Sequence, residues 1–214
     1  MSYRPICDFW WLARAKLKGG RKYYGAYLGG FPERARVLLG VTINDPVLHV
    51  CGGMARHYPY AGGFGPNDQT LDLDPATQPD YLADARESFP LLECSACGGN
   101  GAGVLGPDTC GNCCGEGTPY PDGWPAILMD PPYSEIDAAE YVPGAAVYPK
   151  PNLLLRNALQ AVRPGGRVGL IHYIVPAPPP ASIGFGTKFI ASVGIGCGFN
   201  NRVRVYTVWE RLAE

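Results

Sequence analysis

The sequence predicts an α/β fold in which a mainly parallel sheet is covered by helices and completed by an antiparallel C-terminal hairpin. Three observations point to it. Short apolar runs suited to buried strands alternate with stretches of helical periodicity along the 214 residues. The last two runs, about 188–195 and 202–210, flank Gly198-Phe199-Asn200-Asn201, whose Gly and Asn residues suit a hairpin turn. Midway, the run Ala126-Ile127-Leu128-Met129 stops at Asp130-Pro131-Pro132-Tyr133, as a buried strand does where it reaches the edge of a sheet.

The elements follow in order. Residues 8–18 carry aromatic and apolar positions at helical spacing and stop at Gly19-Gly20, which predicts a helix. A second helix is predicted over 31–39, with Pro32 near its start and Gly40 as its stop. Residues 47–53 (VLHVCGG) read as an apolar strand running into glycines, and 70–74 and 81–84 as short strands. After the strand that ends at Met129, a helix is predicted over 151–162 and is closed by Arg163-Pro164-Gly165-Gly166. Strand 167–174, a proline-rich loop at 175–183 and the hairpin complete the chain.

Bulk composition narrows the class. A chain that is 46% hydrophobic and 17% charged, with net charge −1, is globular, and 29 Gly with 22 Pro imply many loops. It has no apolar run of about 18 residues, so no membrane partner is expected. The first residues lack the charged-then-apolar order of a secretion signal, so a cytoplasmic protein is expected. Charge is unevenly placed. Residues 1–36 hold Arg4, Arg14, Lys16, Lys18, Arg21, Lys22, Arg34 and Arg36 against Asp8 and Glu33, a net +6, and the rest of the chain sums to −7. A basic start of this kind can meet phosphates, or can simply be a solvated face.

Asp130-Pro131-Pro132-Tyr133 carries the most specific chemistry. An exocyclic amine on a nucleobase is a poor nucleophile, because its lone pair is delocalised into the ring. A carboxylate (Asp130) and a backbone carbonyl held outward by proline (Pro131) can bind its two N–H protons and relocalise that pair. Pro131 and Pro132 fix φ and stiffen the turn. Tyr133 offers a flat face to an extruded base.

This order of motifs resembles the class I S-adenosylmethionine-dependent methyltransferases with a Rossmann-like fold, and among them the DNA adenine-N6 amino-methyltransferases, over about residues 20–212. The resemblance implies a seven-stranded, mainly parallel sheet. It further implies that the cofactor lies on the turn His49-Val50-Cys51-Gly52-Gly53, with His49, Cys51, Gly52 and Gly53 as contacts. Asp72, with Asp74 as runner-up, is the implied partner of the ribose, and Asp84 that of the adenine. Asp130, Pro131, Pro132 and Tyr133 are the implied catalytic set, with Tyr133 and Phe199 as base-binding aromatics and His172 and Tyr173 as further pocket candidates. The family's turn begins with an acid, and here that place holds His49. The basic, aromatic stretch 21–25 falls where relatives contact the cofactor's methionine end.

Five of the eight cysteines fall within 94–114. Cys94-Ser95-Ala96-Cys97 and Cys110-Gly111-Asn112-Cys113 are two CxxC knuckles with twelve residues between them, each continued as CxGxG. Four thiolates at this spacing suit one tetrahedral zinc, with Cys114 as a spare thiol. The repeat resembles the cysteine-rich module of J-protein co-chaperones. The expected organisation is therefore 1–90, N-terminal helices and cofactor-binding half; 91–122, a zinc insertion between the third and fourth strands; and 123–214, the catalytic half. The insertion holds no Lys or Arg, so phosphate contact is expected from the basic start or from Arg202 and Arg204.

The implied protein is an S-adenosylmethionine-dependent enzyme methylating N6 of adenine in DNA, with S-adenosylmethionine and one structural zinc as cofactors and nucleic acid as partner. The residues leave open cytosine N4, adenine N6 in RNA, and a non-catalytic zinc-containing nucleic-acid binder on the same fold. They do not specify an oligomeric state.

Overall fold

A computed structural model describes residues 3–13, 27–57, 63–87, 89–90, 122–141, 148–197 and 200–213. The strands are β1 (Ile6–Leu12), β2 (Val47–Val50), β3 (Gln69–Asp72), β4 (Tyr81–Leu82), β5 (Trp124–Met129), β6 (Val162–His172), β7 (Thr187–Cys197) and β8 (Asn200–Arg211). The helices are α1 (Phe31–Leu39), α2 (Glu135–Tyr141) and α3 (Pro151–Ala161). All eight strands form one sheet in the order β1-β7-β8-β6-β5-β2-β3-β4. Among the described strands β8 alone is antiparallel to its neighbours.

The sheet therefore has eight strands where the family resemblance implies seven. The extra one is β1, in a stretch for which the sequence predicts a helix over 8–18. Residues 6–12 lie parallel to β7 with Trp10 and Leu12 inward and Phe9 and Trp11 outward. That is the period-2 pattern of a strand, and the bulky aromatics fit the pleat better than a helix face. Residues 14–18 of the predicted helix lie outside the described residues.

Other elements sit close to expectation. α1 spans 31–39 with Pro32 in its first turn, and Gly40 caps it in the left-handed region at φ 71°. Helix α3 begins at Pro151, but it runs directly into β6. The Pro164-Gly165-Gly166 turn lies inside β6 as a bulge, because pairing with β5 shifts between Trp124–Val162 and Ala126–Arg167. Helix α2 has no counterpart in the expectations above. Its start is legible in Ser134, whose hydroxyl accepts the Asp137 N–H at 3.1 Å and donates to the Asp137 carboxylate at 2.8 Å, a local cap.

Two cores sandwich the sheet. On one face Phe31, Ala35 and Leu39 of α1 pack with Trp10, Leu128, Val193 and Tyr206. On the other, Leu154, Leu155 and Leu159 of α3 pack with Leu48, Ile127, Leu170 and Trp209. β2 and β5 are buried along their whole length, as central parallel strands are, which explains their unbroken apolar runs.

A buried ion pair locks α1 to the sheet. Asp68, just before β3, accepts from the Arg36 guanidinium, from the Val47 N–H at 3.0 Å and from the Gly65 N–H at 2.7 Å. Arg36 also donates to the carbonyls of Gly63, Thr42 and Asp45. Arg36 is thus a structural cation rather than one of the phosphate-facing bases that the basic start suggested. Removing one partner strands a buried charge. Arg36→Ala is expected to lower unfolding free energy by about 3–5 kcal/mol, measured by urea denaturation.

Candidate functional site at the carboxyl edge of the sheet

Strand order reverses between β2 and β5: from β2 the chain moves outward to β3 and β4, and from β5 to β6 on the other side. In an open α/β sheet, ligands bind in the crevice outside the carboxyl ends of the two strands at such a switch point. Here those ends are Cys51-Gly52-Gly53 after β2 and Asp130-Pro131-Pro132-Tyr133 after β5. Backbone bonds stitch the edge together. The Asp130 N–H donates to the Val50 carbonyl at 3.2 Å, the Cys51 N–H to Leu71 at 2.9 Å, and the Ala83 N–H to Asp72 at 3.1 Å.

The turn after β2 is tightly folded. Cys51 has φ 54° and Gly53 φ 53°, both left-handed. A Cβ at Gly52 would stand 3.2 Å from the His49 Cβ and 3.5 Å from the Tyr27 hydroxyl, so glycine lets the turn close onto its neighbours. The Gly53 N–H donates to an Asp72 carboxylate oxygen at 3.1 Å, tying the turn to the end of β3. Asp72 also accepts from the Asp74 N–H at 3.0 Å. Burial raises the Asp72 carboxyl above its usual range against these bonds. Asp74 instead caps the short turn 75–77 through the Ala76 N–H at 2.9 Å. Asp84 holds Arg86, whose Nε lies 2.9 Å from each of its oxygens, and this pairing lowers its carboxyl. Burial, together with the negative charges of Asp72, Asp130 and Asp84, pushes the Cys51 thiol well up, so all three strand-end acids bear on one point.

His49 is buried in a polar network. Its Nε2 is hydrogen-bonded to Asp68 at 3.0 Å and its Nδ1 to the Tyr27 hydroxyl at 3.1 Å. The ring stacks on Phe64 at 4.9 Å. Burial pushes the Asp68 carboxyl up, and the bonds and charges of His49 and Arg36 together outweigh it, holding Asp68 below the usual range. The sequence reading singles out His49 but not Tyr27 or Asp68. An acid directly before an apolar strand was the only available signal for Asp68.

Asp130 is 8% exposed. Its Oδ1 accepts the Tyr133 hydroxyl, and burial raises its carboxyl while the Arg204 charge and the Tyr133 bond oppose that rise. The Arg204 guanidinium lies over the Tyr133 ring at 5.1 Å. Tyr173 packs on Tyr133 at 4.7 Å and His172 meets it edge-on at 5.5 Å. His172 Nδ1 accepts the Ile174 N–H at 3.0 Å, so its neutral ring donates from Nε2 to the Tyr148 hydroxyl at 2.9 Å. Burial lowers the His172 pKa, which favours this neutral form. Asp130, Tyr133, His172 and Tyr173 thus form one polar-aromatic cluster with Arg204 and Tyr148.

Phe199, the stretch 21–25 and Cys94, Cys97, Cys110 and Cys113 lie outside the described residues. Among the described residues no group of three or more His, Cys, Asp or Glu could hold a metal ion, and no helix is long and apolar enough to cross a membrane.

The strand order and its switch point are those of a Rossmann-like fold. No protein-family model and no curated protein sequence matches the chain. Among solved structures it is similar to TrmN from Thermus thermophilus, with a TM-score of 0.52 and 19% identity over 88% of this chain. The match spans 50% of the length of TrmN. Looser likenesses include a SAM-dependent methyltransferase from Aquifex aeolicus, with a TM-score of 0.44 and 12% identity, covering 85% of this chain and 89% of that one. Another is the N-methyltransferase NodS from Bradyrhizobium japonicum in complex with S-adenosyl-L-homocysteine, with a TM-score of 0.44 and 11% identity, covering 87% and 89%. The TrmN likeness shows a shared fold.

The raised Asp130 carboxyl fixes the sign of a stability effect. A folded pKa above the unfolded value means that the charged form costs stability at neutral pH, a cost that fades as pH falls through the folded and then the unfolded value, about 3.9. Asp130→Asn is therefore expected to melt at a higher temperature than the parent at pH 7. The gap should close on acidification toward about pH 4, followed by thermal melts across pH.

Proposed function

We propose that this protein is an S-adenosylmethionine-dependent methyltransferase acting on an exocyclic amine of a nucleobase, N6 of adenine in DNA. The observation that carries the reading is the juxtaposition of Asp130-Pro131-Pro132-Tyr133 with the glycine turn and Asp72 at the switch point of the sheet. The residues suit the cofactor: an acid at the end of β3 for a ribose diol, and a turn that closes tightly because residue 52 is glycine. S-adenosylmethionine supplies an electrophilic methyl group when bound.

The chain's own residues do the rest. Tyr133 occupies Oδ1 of Asp130, which leaves Oδ2 to accept one amine N–H while the Pro131 carbonyl accepts the other. Holding both protons returns the lone pair to nitrogen. Attack by that pair on the methyl carbon would break its bond to sulfur and release S-adenosylhomocysteine as the neutral thioether. The surplus proton on the methylated nitrogen is then acidic and passes to the Asp130 carboxylate, whose raised pKa suits it to receive one. The extruded base stacks on Tyr133, with Arg204 moving from that ring toward the adjoining phosphate. Cys94, Cys97, Cys110 and Cys113 hold one zinc that folds the 91–122 insertion.

Two measurements test these proposals. Incubation with labelled cofactor and DNA, RNA or free nucleosides, followed by nucleoside mass spectrometry, is expected to give N6-methyladenine from DNA. Asp130→Ala should abolish it while leaving cofactor binding intact, and an active Asp130→Ala protein would refute the role of that carboxylate. Elemental analysis of the purified chain should find about one zinc, lost when Cys94 and Cys97 are both changed to Ser.

A further inference from the structure

Arg202 and Arg204 stand two apart on β8, so both project from the face whose Tyr206 packs under α1. Ile171 pairs with Tyr206 and His172 with Val205, and the same register brings Tyr173 opposite Arg204. Arg202 lies over the Tyr173 ring at 6.0 Å and Arg204 over the Tyr133 ring at 5.1 Å. The two rings pack on each other at 4.7 Å. Two cations and two phenol rings thus gather on one face of the carboxyl edge, beside Asp130, whose Oδ1 holds the Tyr133 hydroxyl.

This arrangement leaves a charge unanswered. Arg204 is half-buried, yet it takes part in none of the ion pairs among the described residues. Burial works against its charge, and Tyr133, Asp130 and Tyr173 outweigh that effect without an ion pair being made. A desolvated cation is ordinarily matched by an anion. Arg202, at the exposed end of the same face, adds a second guanidinium, with Tyr173 between the two. Two planar forks on one side of a strand suit a phosphate, whose oxygens accept from several N–H donors at once. A nucleotide whose base reaches Tyr133 carries such a group with it.

What Arg204 covers adds a consequence. Tyr173 and His172 already pack against the Tyr133 ring, so a base that stacks there takes the place of Arg204. An anion that draws Arg204 toward Arg202 clears the ring for that base.

We propose that Arg202 and Arg204 form a phosphate site whose occupation draws Arg204 off Tyr133, so that the target nucleotide's own phosphate opens the stacking face to its base. The proposal rests on the nucleobase reading above and makes Arg204 a specificity-determining residue that separates nucleotides from free nucleosides.

Calorimetric titration of the full chain with deoxyadenosine, its 5′-monophosphate and its 3′-monophosphate, without cofactor, tests it. One of the two monophosphates, on the side that the site engages, is expected to bind about tenfold tighter than the nucleoside. Millimolar inorganic phosphate, added separately, should tighten binding of the nucleoside. Arg204→Gln should bind the nucleoside about threefold tighter than the parent, because no cation competes for the ring. It should also lose both the preference for the monophosphate and the response to phosphate. Arg202→Ala, at an exposed position, should lose most of that preference. A folding defect weakens every ligand together, whereas these effects have opposite signs. Equal affinity of the parent for nucleoside and monophosphates, a preference retained in Arg204→Gln, or a nucleoside bound more weakly by that variant would each overturn the proposal. Binding is read without turnover, so a chain that shows the expected pattern yet methylates nothing would refute the enzyme and keep the phosphate site.

Discussion

The Asp68 carboxylate holds the architecture of the site. It is fully buried and gathers Arg36 from α1, the first N–H of β2, the Gly65 N–H and the His49 ring. A buried carboxylate is tolerated only when its charge is paired and its lone pairs are used, and here both conditions are met. Through His49 the same group reaches Tyr27, whose hydroxyl lies beside Gly52. The position of α1, the entry to β2 and the packing of the glycine turn therefore depend on one charge.

The chemistry at the opposite end of the strands depends on that frame. Parallel strands of unequal length bring Cys51, Asp72, Asp84 and Asp130 to one edge, and backbone bonds fix their spacing. Three carboxylates near one point repel one another, and the edge manages them differently. Asp84 is neutralised by Arg86, Asp72 is held by backbone amides, and Asp130 is left buried with a raised pKa. Asp72 and Asp130 both keep raised carboxyls, and Asp130 is the one beside the aromatic cluster. Arg204 limits that rise while it covers Tyr133, so it couples the charge of Asp130 to the accessibility of the ring.

Much of this was legible in the sequence. β2 and β5 are central, buried parallel strands, and such strands show as unbroken apolar runs; their endings, in glycines and in Asp-Pro-Pro-Tyr, gave the two sides of the crevice. α1 was readable because proline and glycine bracket it. β1 was not, because an edge strand of aromatics satisfies helical spacing as well as alternation, and only pairing with β7 decides between them. The Arg36–Asp68–His49–Tyr27 chain joins four separate segments, and no local pattern announces such contacts. Arg36 counted as part of a basic run shows the cost of reading charge without burial. The covering of Tyr133 by Arg204 is likewise a tertiary contact, although both residues stood out individually.

The central claim is that the crevice between β2 and β5 is a cofactor site. Isothermal titration calorimetry with S-adenosyl-L-homocysteine tests it most directly. The account predicts saturable binding at a single site, strongly weakened in Asp72→Ala and little changed in Trp11→Ala. An absence of binding by the intact protein at millimolar ligand, or undiminished binding by Asp72→Ala, would contradict it.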